Sequence, residues 1–244
     1  MIHLKEKNAF ITGGTKGIGF GIALALLNEG ISVAITGRTE DSVQKATMKL
    51  TQMAISNKAK VLGFVADVRS YESMESAAQN ALQNLGPIDL VIANAGIGHF
   101  APIHELSVQQ WHETIETNLN GVFYTLKVFA KSLMNHQGYF ISISSLAGTN
   151  FFAGGSAYNA SKFGVTGFTQ AAMLDLRAYG VKMTTIMPGS VATYFNDHVP
   201  TDEDYWKIQK EDLGQIVVQL ISMHPRSLPS KIELRPTMPG GSSK

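Results

Sequence analysis

The sequence predicts an α/β fold: a Rossmann-like, doubly wound sheet of about seven mainly parallel strands, with helices on both faces. Three observations predict it. Short apolar runs alternate with helix-forming segments along the chain. The runs are continuously apolar rather than alternating, as strands must be when helices cover both faces of their sheet. A glycine-rich stretch falls at the first strand-to-helix junction. In order, the first strand spans residues 9–12 and the first helix 17–29, stopped by Gly30. A strand over 31–36, a helix over 40–53, a strand over 61–65 and a helix over about 70–85 follow, the last ended by Gly86-Pro87. Residues 88–93 form the fourth strand and 97–106 a loop. A long helix over about 107–135 leads to a strand over 139–143. A second long helix over about 157–179 leads to a strand over 181–187. A helix near 211–223 and a short strand over 232–235 complete the order. Strands separated by helices read as βαβ units in a parallel sheet. No linker or repeat interrupts them, so 1–238 is expected to be one domain with a short lid at about 194–209. Residues 239–244 are expected to be a flexible tail.

Composition narrows the chemistry. The 244 residues contain no cysteine, which excludes disulfides, thiolate metal sites and a cysteine nucleophile. His99, His104 and His198 carry no metal-ligand spacing and read as surface histidines, so no metal is expected. A net charge of +1 offers no electrostatic case for nucleic acid or an anionic membrane. The N-terminus puts mixed charges where a signal peptide needs an apolar stretch. The most apolar short run, 22–27, has six residues, against the ~20 needed to cross a bilayer. A soluble, cytoplasmic protein is expected. Charged residues make up only 16%, below the ~25% usual for soluble domains, which suggests surface covered by another subunit. Residues 156–174 contain a single charge, Lys162. A helix apolar all round is buried on both sides, so this one is expected to pack against the sheet and a partner subunit.

Thr12-Gly13-Gly14-Thr15-Lys16-Gly17-Ile18-Gly19 lies between the first strand and the first helix. Glycine there lets the backbone turn tightly and approach a pyrophosphate, whose charge is favoured at a helix N-terminus. The spacing, T-G-x-x-x-G-x-G, resembles that of the short-chain dehydrogenase/reductase family, classical subfamily. The resemblance runs from this loop through Pro188-Gly189 and implies a nicotinamide dinucleotide cofactor. Asp67 matches the family's adenine-contacting acid. Asn94-Ala95-Gly96 matches the motif after the fourth strand that supports the cofactor pocket, with Ala93 in place of its usual first asparagine. An acidic residue ending the second strand would hold the ribose 2′-hydroxyl of NAD. Here Gly37 is followed by Arg38, and Lys16 sits in the glycine loop. A guanidinium can meet a 2′-phosphate with two parallel hydrogen bonds, so NADP(H) is expected over NAD(H). The segment from Pro188 to Thr193 resembles the one that contacts nicotinamide, with Thr193 reaching its carboxamide. The implied cofactor set is Gly13, Thr15, Lys16, Gly17, Ile18, Gly19, Arg38, Asp67, Val68, Asn94, Ala95, Gly96, Tyr158, Lys162, Pro188, Gly189, Val191 and Thr193.

Tyr158 and Lys162 stand four apart at the start of the apolar helix and so share a face. A nearby cation favours the phenolate and is expected to lower the tyrosine pKa toward the working pH. Ser145, in Ser142-Ile-Ser-Ser145-Leu-Ala-Gly148, stands at the spacing of the family's catalytic serine. Ser144 competes, but Ser145 directly precedes the Leu-Ala-Gly turn. Asn118 matches the family's fourth catalytic residue; a buried mid-helix asparagine is otherwise unfavourable. The resemblance implies that Tyr158 protonates a carbonyl oxygen as hydride arrives from NADPH, while Ser145 hydrogen-bonds that oxygen. Lys162 holds the nicotinamide ribose and tunes Tyr158, and Asn118 orders a relay water.

Substrate selectivity is expected from Leu146, Phe151, Phe152, Tyr194 and Phe195 beside Ser145 and Tyr158, with contributions from the loop near Gly98 and from Trp206. Such aromatic stretches suit an apolar ketone or aldehyde. The 231–236 segment departs from the glycine-rich strand of oxoacyl reductases and looks more like broad-range carbonyl reductases. An NADPH-dependent carbonyl reductase is therefore the leading expectation. A dedicated 3-oxoacyl thioester reductase would need a basic docking patch for its carrier. A non-catalytic NADP(H)-binding regulator would have no use for the full set of Asn118, Ser145, Tyr158 and Lys162. The family commonly forms dimers and tetramers through the long helices, here at about 107–135 and 157–179.

Overall fold

The structure, a computed structural model, describes residues 7–55 and 58–238; the expected tail at 239–244 lies outside them. The elements run β1 (Asn8–Ile11), α1 (Gly17–Asn28), β2 (Ser32–Gly37), α2 (Glu40–Met53), β3 (Val61–Val65), α3 (Tyr71–Leu85) and β4 (Leu90–Ala93). They continue with α4 (Val108–Ile115), α5 (Gly121–His136), β5 (Tyr139–Ile143), α6 (Ser156–Leu176), β6 (Lys182–Pro188), α7 (Lys210–Ser222) and β7 (Lys231–Leu234). The seven strands form one sheet in the order β3-β2-β1-β4-β5-β6-β7, and every neighbouring pair is parallel. The winding reverses between β1 and β4. In an open parallel sheet such a switch point leaves a crevice outside the carboxyl ends of the strands.

The continuous apolar runs have a direct structural cause. Successive strand residues point to opposite faces, and both faces are covered. Ala9 and Ile11 of β1, Leu90 and Ile92 of β4, and Tyr139, Ile141 and Ile143 of β5 pack against α1 and α7. The residues between them, Phe10, Val91 and Phe140, face α3, α5 and α6 instead. Phe10 and Phe129 of α5 meet with ring centroids 4.6 Å apart, joining sheet to helix. Helix ends follow local chemistry. Thr39 and Ser70 cap α2 and α3 by accepting from Ser42 N and Ser73 N at 3.4 and 3.1 Å. Gly30 follows α1 with a φ of 82°, a conformation that costs glycine little.

Two expected helices differ from the sequence reading. The helix over about 107–135 is not continuous. A π-helical turn at Glu116–Asn120 separates α4 from α5, with Gly121 N donating back to Glu116 O. A π turn adds one residue to the helical circuit and marks functional sites often; here it carries Asn118. The second long helix ends at Leu176 and finishes in a 3-10 turn, Arg177–Tyr179. Its inner face is buried, but Phe163, Gly167 and Leu174 on the outer face are exposed, so one chain alone covers only one side of it. Among the described residues, no helix is long and apolar enough to cross a membrane.

Candidate active site

The crevice is built first by the joint between β1 and β4. Thr12 accepts two backbone amides on its hydroxyl, from Asn94 at 3.0 Å and Ala95 at 3.1 Å. In return the Asn94 side chain donates to the carbonyls of Thr12 and Gly13, at 2.9 and 3.0 Å. The glycine loop is thereby held against β4. Gly13 has a φ of 64°, and a Cβ there would lie 2.9 Å from Ala95 Cα. A Cβ on Gly19 would lie 2.5 Å from Gly13 O. α1 then begins at Gly17 with no side-chain cap, so its first amides keep their donors for another partner. Across the crevice, Thr193 Cβ stands 3.4 Å from where a Gly17 Cβ would be.

The second group of residues comes from the ends of β4 and β5 and from α6. Lys162 is 5% exposed, and its Nζ donates to Ile143 O at 3.0 Å while standing 5.6 Å from the Tyr158 ring centroid. A Cβ on Gly96 would come within 3.6 Å of the same Nζ and 3.3 Å of Asn118 Oδ1. Ser144 and Ser145 diverge. Ser144 turns into α6, bonding Lys162 O at 3.1 Å and Thr166 Oγ1 at 3.0 Å. Ser145 faces the Tyr158 phenol, accepts from Ala147 N at 3.1 Å and donates to Pro188 O at a long 3.4 Å. The geometry separates the two competing serines.

Electrostatics at this corner depart from expectation. Burial pushes the Tyr158 phenol above its ordinary value, opposed only in part by the Ser145 hydroxyl. The Lys162 ammonium is bonded to a main-chain carbonyl rather than to the phenol, and burial of the phenol outweighs the lowering that a four-residue spacing suggests. Burial also weakens the ammonium itself, bringing Lys162 from 10.5 to about 8.

The family model for short chain dehydrogenases matches residues 7–204. The chain belongs to that family. An uncharacterized oxidoreductase of Staphylococcus aureus (strain MRSA252) is 31% identical over 238 residues, covering 97% of this chain and 100% of the relative. An uncharacterized oxidoreductase of Staphylococcus saprophyticus is 28% identical over 240 residues, with 97% and 100% covered. Among solved structures, an alcohol dehydrogenase from the archaeon Thermococcus sibiricus, complexed with 5-hydroxy-NADP, matches with a TM-score of 0.88 at 30% identity, covering 95% of this chain and 97% of that one. A metagenomic short-chain oxidoreductase in complex with NADP matches at 0.83 and 28%, covering 97% and 100%. This chain is an oxidoreductase of the short-chain dehydrogenase family.

Not all the expected site residues of this short-chain dehydrogenase converge. Asn118 is fully buried, with both ends of its carboxamide used. Its Oδ1 accepts from Ile97 N at 2.8 Å, and its Nδ2 donates to Ile97 O at 2.9 Å and Ser161 Oγ at 3.0 Å. These bonds commit both Nδ2 protons and one of the two Oδ1 lone pairs. The Asp67 carboxylate is held by Arg69, through the backbone N at 3.0 Å and a guanidinium contact at 2.6 Å, which keeps it below the usual carboxylate range. Val68 packs instead toward α5, its Cγ2 lying 2.9 Å from where a Gly121 Cβ would be. Of the expected substrate residues, Phe152 and Phe195 gather near Tyr158, the latter with centroids 5.6 Å apart. Phe151, 86% exposed, points to solvent. Tyr194 lies under Lys16, whose Nζ is 5.8 Å from its centroid. Leu146 opens the turn after Ser145, with Cδ1 3.1 Å from where a Gly189 Cβ would be. The loop after β4 supplies a residue that was not singled out. Phe100 stands 5.4 Å from the Tyr158 ring, 5.8 Å from Phe152 and 6.3 Å from Phe195. A lone phenylalanine in a loop has no periodicity to give it away; the neighbouring Gly98, over which both Phe100 and Phe195 close, was the available hint. In the 194–209 segment, Asp204 joins His198 and Lys207, each at 2.6 Å.

The buried ammonium has a measurable consequence. Below pH 8 folding keeps Lys162 charged against its preference. Between 8 and 10.5 the unfolded chain binds the extra proton, so the stability contributed through this residue rises with pH. A difference of 10.5 against about 8 corresponds to about 3 kcal/mol. In the cofactor-free protein, the unfolding free energy of wild type relative to Lys162→Met is expected to rise by that amount from pH 7 to 10.5. A gap independent of pH would contradict the burial.

Proposed function

We propose that this short-chain dehydrogenase is an NADP(H)-dependent oxidoreductase that reduces a ketone or aldehyde carbonyl to an alcohol, reversibly. The observation that carries this reading is the meeting of Tyr158, Ser145 and Lys162 beneath the ring cluster of Phe100, Phe152 and Phe195. Residues 1–238 act in this proposal as one catalytic unit, with 194–209 as its lid.

The crevice fits a dinucleotide. The spaces beside Gly13 and Gly19 that a Cβ would overfill, and the uncapped amides of α1, suit a pyrophosphate. Thr15, Gly17 and Ile18 complete that cradle. Arg38 and Lys16 are exposed, and neither has a carboxylate partner among the described residues. Both can therefore meet a 2′-phosphate. Asp67 and the main chain of Val68 take the adenine side. Ala95, Gly96, Pro188, Gly189, Val191 and Thr193 take the nicotinamide side, and the two neighbours solved with NADP-type ligands support the assignment.

When bound, the reduced nicotinamide supplies the hydride. The Tyr158 phenol, kept protonated by its burial, gives its proton to the carbonyl oxygen as the carbon is reduced. Ser145 Oγ has only a 3.4 Å bond to Pro188 O to surrender and turns to donate to the same oxygen. Lys162 holds the ribose and places positive charge beside the phenolate that results. Asn118 fixes Ile97 and α6 across the π turn and orders a relay water. The half-buried aromatic cluster favours an apolar substituent on the carbonyl. The exposed apolar face of α6, with Phe123 of α5 at 44% exposed beside it, is the surface on which two copies pair.

Tyr158→Phe is expected to bind NADPH as wild type does and to lose about 10²–10⁴-fold in turnover; an unchanged rate overturns its role. Arg38→Asp should weaken NADPH by about 10–100-fold and spare NADH, read by fluorescence titration with each. Equal loss of both would sink the NADP(H) assignment. Sedimentation should show a dimer or larger species, and Phe163→Asp should shift it toward monomer.

A further inference from the structure

A cavity of about 480 Å³ lies apart from the crevice at the carboxyl ends of the strands. It lies at the opposite edge of the sheet, where β1, β4, β5 and β6 begin, so the length of β5 separates the two. At five residues that is about 17 Å. We propose that this cavity is a second binding site, for a small amphiphilic anion: a carboxylate on a short apolar body.

Its walls divide into two kinds. Ile31, Leu90, Val181, Ile221 and Leu228 line one part and supply apolar surface. Lys7, Arg177 and Lys182 bring three positive charges, against one carboxylate, Asp89. That carboxylate is committed, accepting from Lys7 Nζ at 2.9 Å and Asn8 N at 3.0 Å. Among the described residues, Lys182 and Arg177 have no acidic partner. Register brings the charges together: Lys182 pairs with Tyr139 at the start of β5, and Tyr139 N donates to Asp89 O. Lys182 Nζ rests 5.5 Å from the Tyr139 centroid. Burial, then the like charge of Lys7, holds this ammonium below the ordinary lysine range. Two cations crowded on one cavity wall, with the only acid already spent, is an arrangement an anion relieves. The volume lies within the ~300–1,000 Å³ usual for small-molecule sites, and a guanidinium and an ammonium in one cavity lining suit a carboxylate head.

Titration calorimetry on the full chain with octanoate tests this, with octan-1-ol and inorganic phosphate as the paired probes. Octanoate is expected to bind one equivalent per chain, at least tenfold tighter than either control. Arg177→Met/Lys182→Met is expected to weaken octanoate at least tenfold while NADPH-dependent turnover stays within twofold. Lys182→Met alone is expected to keep or raise the melting temperature without ligand, since it removes a crowded charge. Should the double variant misfold, Arg177→Met, at an exposed turn, is expected to lose at least threefold. Octanoate affinity unchanged in the variants, as binding in the catalytic crevice would give, overturns the proposal. So does octanol or phosphate binding as tightly as octanoate.

Discussion

The reciprocal bonding of Thr12 with Asn94 is the constraint on which the rest of the crevice depends. Four hydrogen bonds tie the end of β1 to the end of β4, across the point where the strand order reverses. A reversal alone opens a gap between helices; it does not shape one. With the Asn94 carboxamide spent on two carbonyls, the glycine loop cannot swing away, and α1 starts at a fixed place with its amides exposed. The chain that leaves β4 passes Gly96 close to Lys162 and is caught at Ile97 by Asn118. One local arrangement thus sets both the cradle and the catalytic corner.

The corner where Tyr158, Ser145 and Lys162 meet is costly to build. An ammonium with 5% exposure and one main-chain acceptor is not satisfied by its hydrogen bond alone, and the phenol beside it loses solvation as well. Both groups are driven toward their neutral forms, Lys162 downward and Tyr158 upward. A protonated tyrosine is the form that reduction consumes, and the reverse reaction needs added positive charge to stabilise the phenolate. Natural sites often break local stability rules where function requires it. The cluster of Phe100, Phe152 and Phe195 covers one side of this corner while each ring stays partly exposed.

The order of elements was readable because the parallel sheet writes itself as apolar runs: α2, β3 and β5 fall at the expected residues, and most other ends shift by one or two. Candidate site residues were proposed for the same kind of reason, since T-G-x-x-x-G-x-G, Tyr158 with Lys162, and Ser145 are local patterns. What escaped was non-local. The π turn at Glu116–Asn120 inserts one residue into the helical circuit, too small a change to disturb a hydrophobic period. Lys162 lies on the face of Tyr158 as spacing requires, yet its charge goes to Ile143 O, a partner from another element. Phe100 joins the site only because the loop after β4 folds back over Gly98. Asp67 is a nearer case: its partner Arg69 stands two residues away, and the pairing was legible though unread.

The central claim is that this edge of the sheet performs carbonyl reduction with NADPH. The most direct measurement follows NADPH absorbance, with NADH in parallel, against a panel of apolar ketones, aldehydes and 3-oxoacyl thioesters. Oxidation of NADPH in preference to NADH, fastest with aromatic or other apolar ketones and aldehydes, is the expected result. A chain that binds NADPH but turns over nothing on the panel, or that accepts only the thioesters, would contradict the claim.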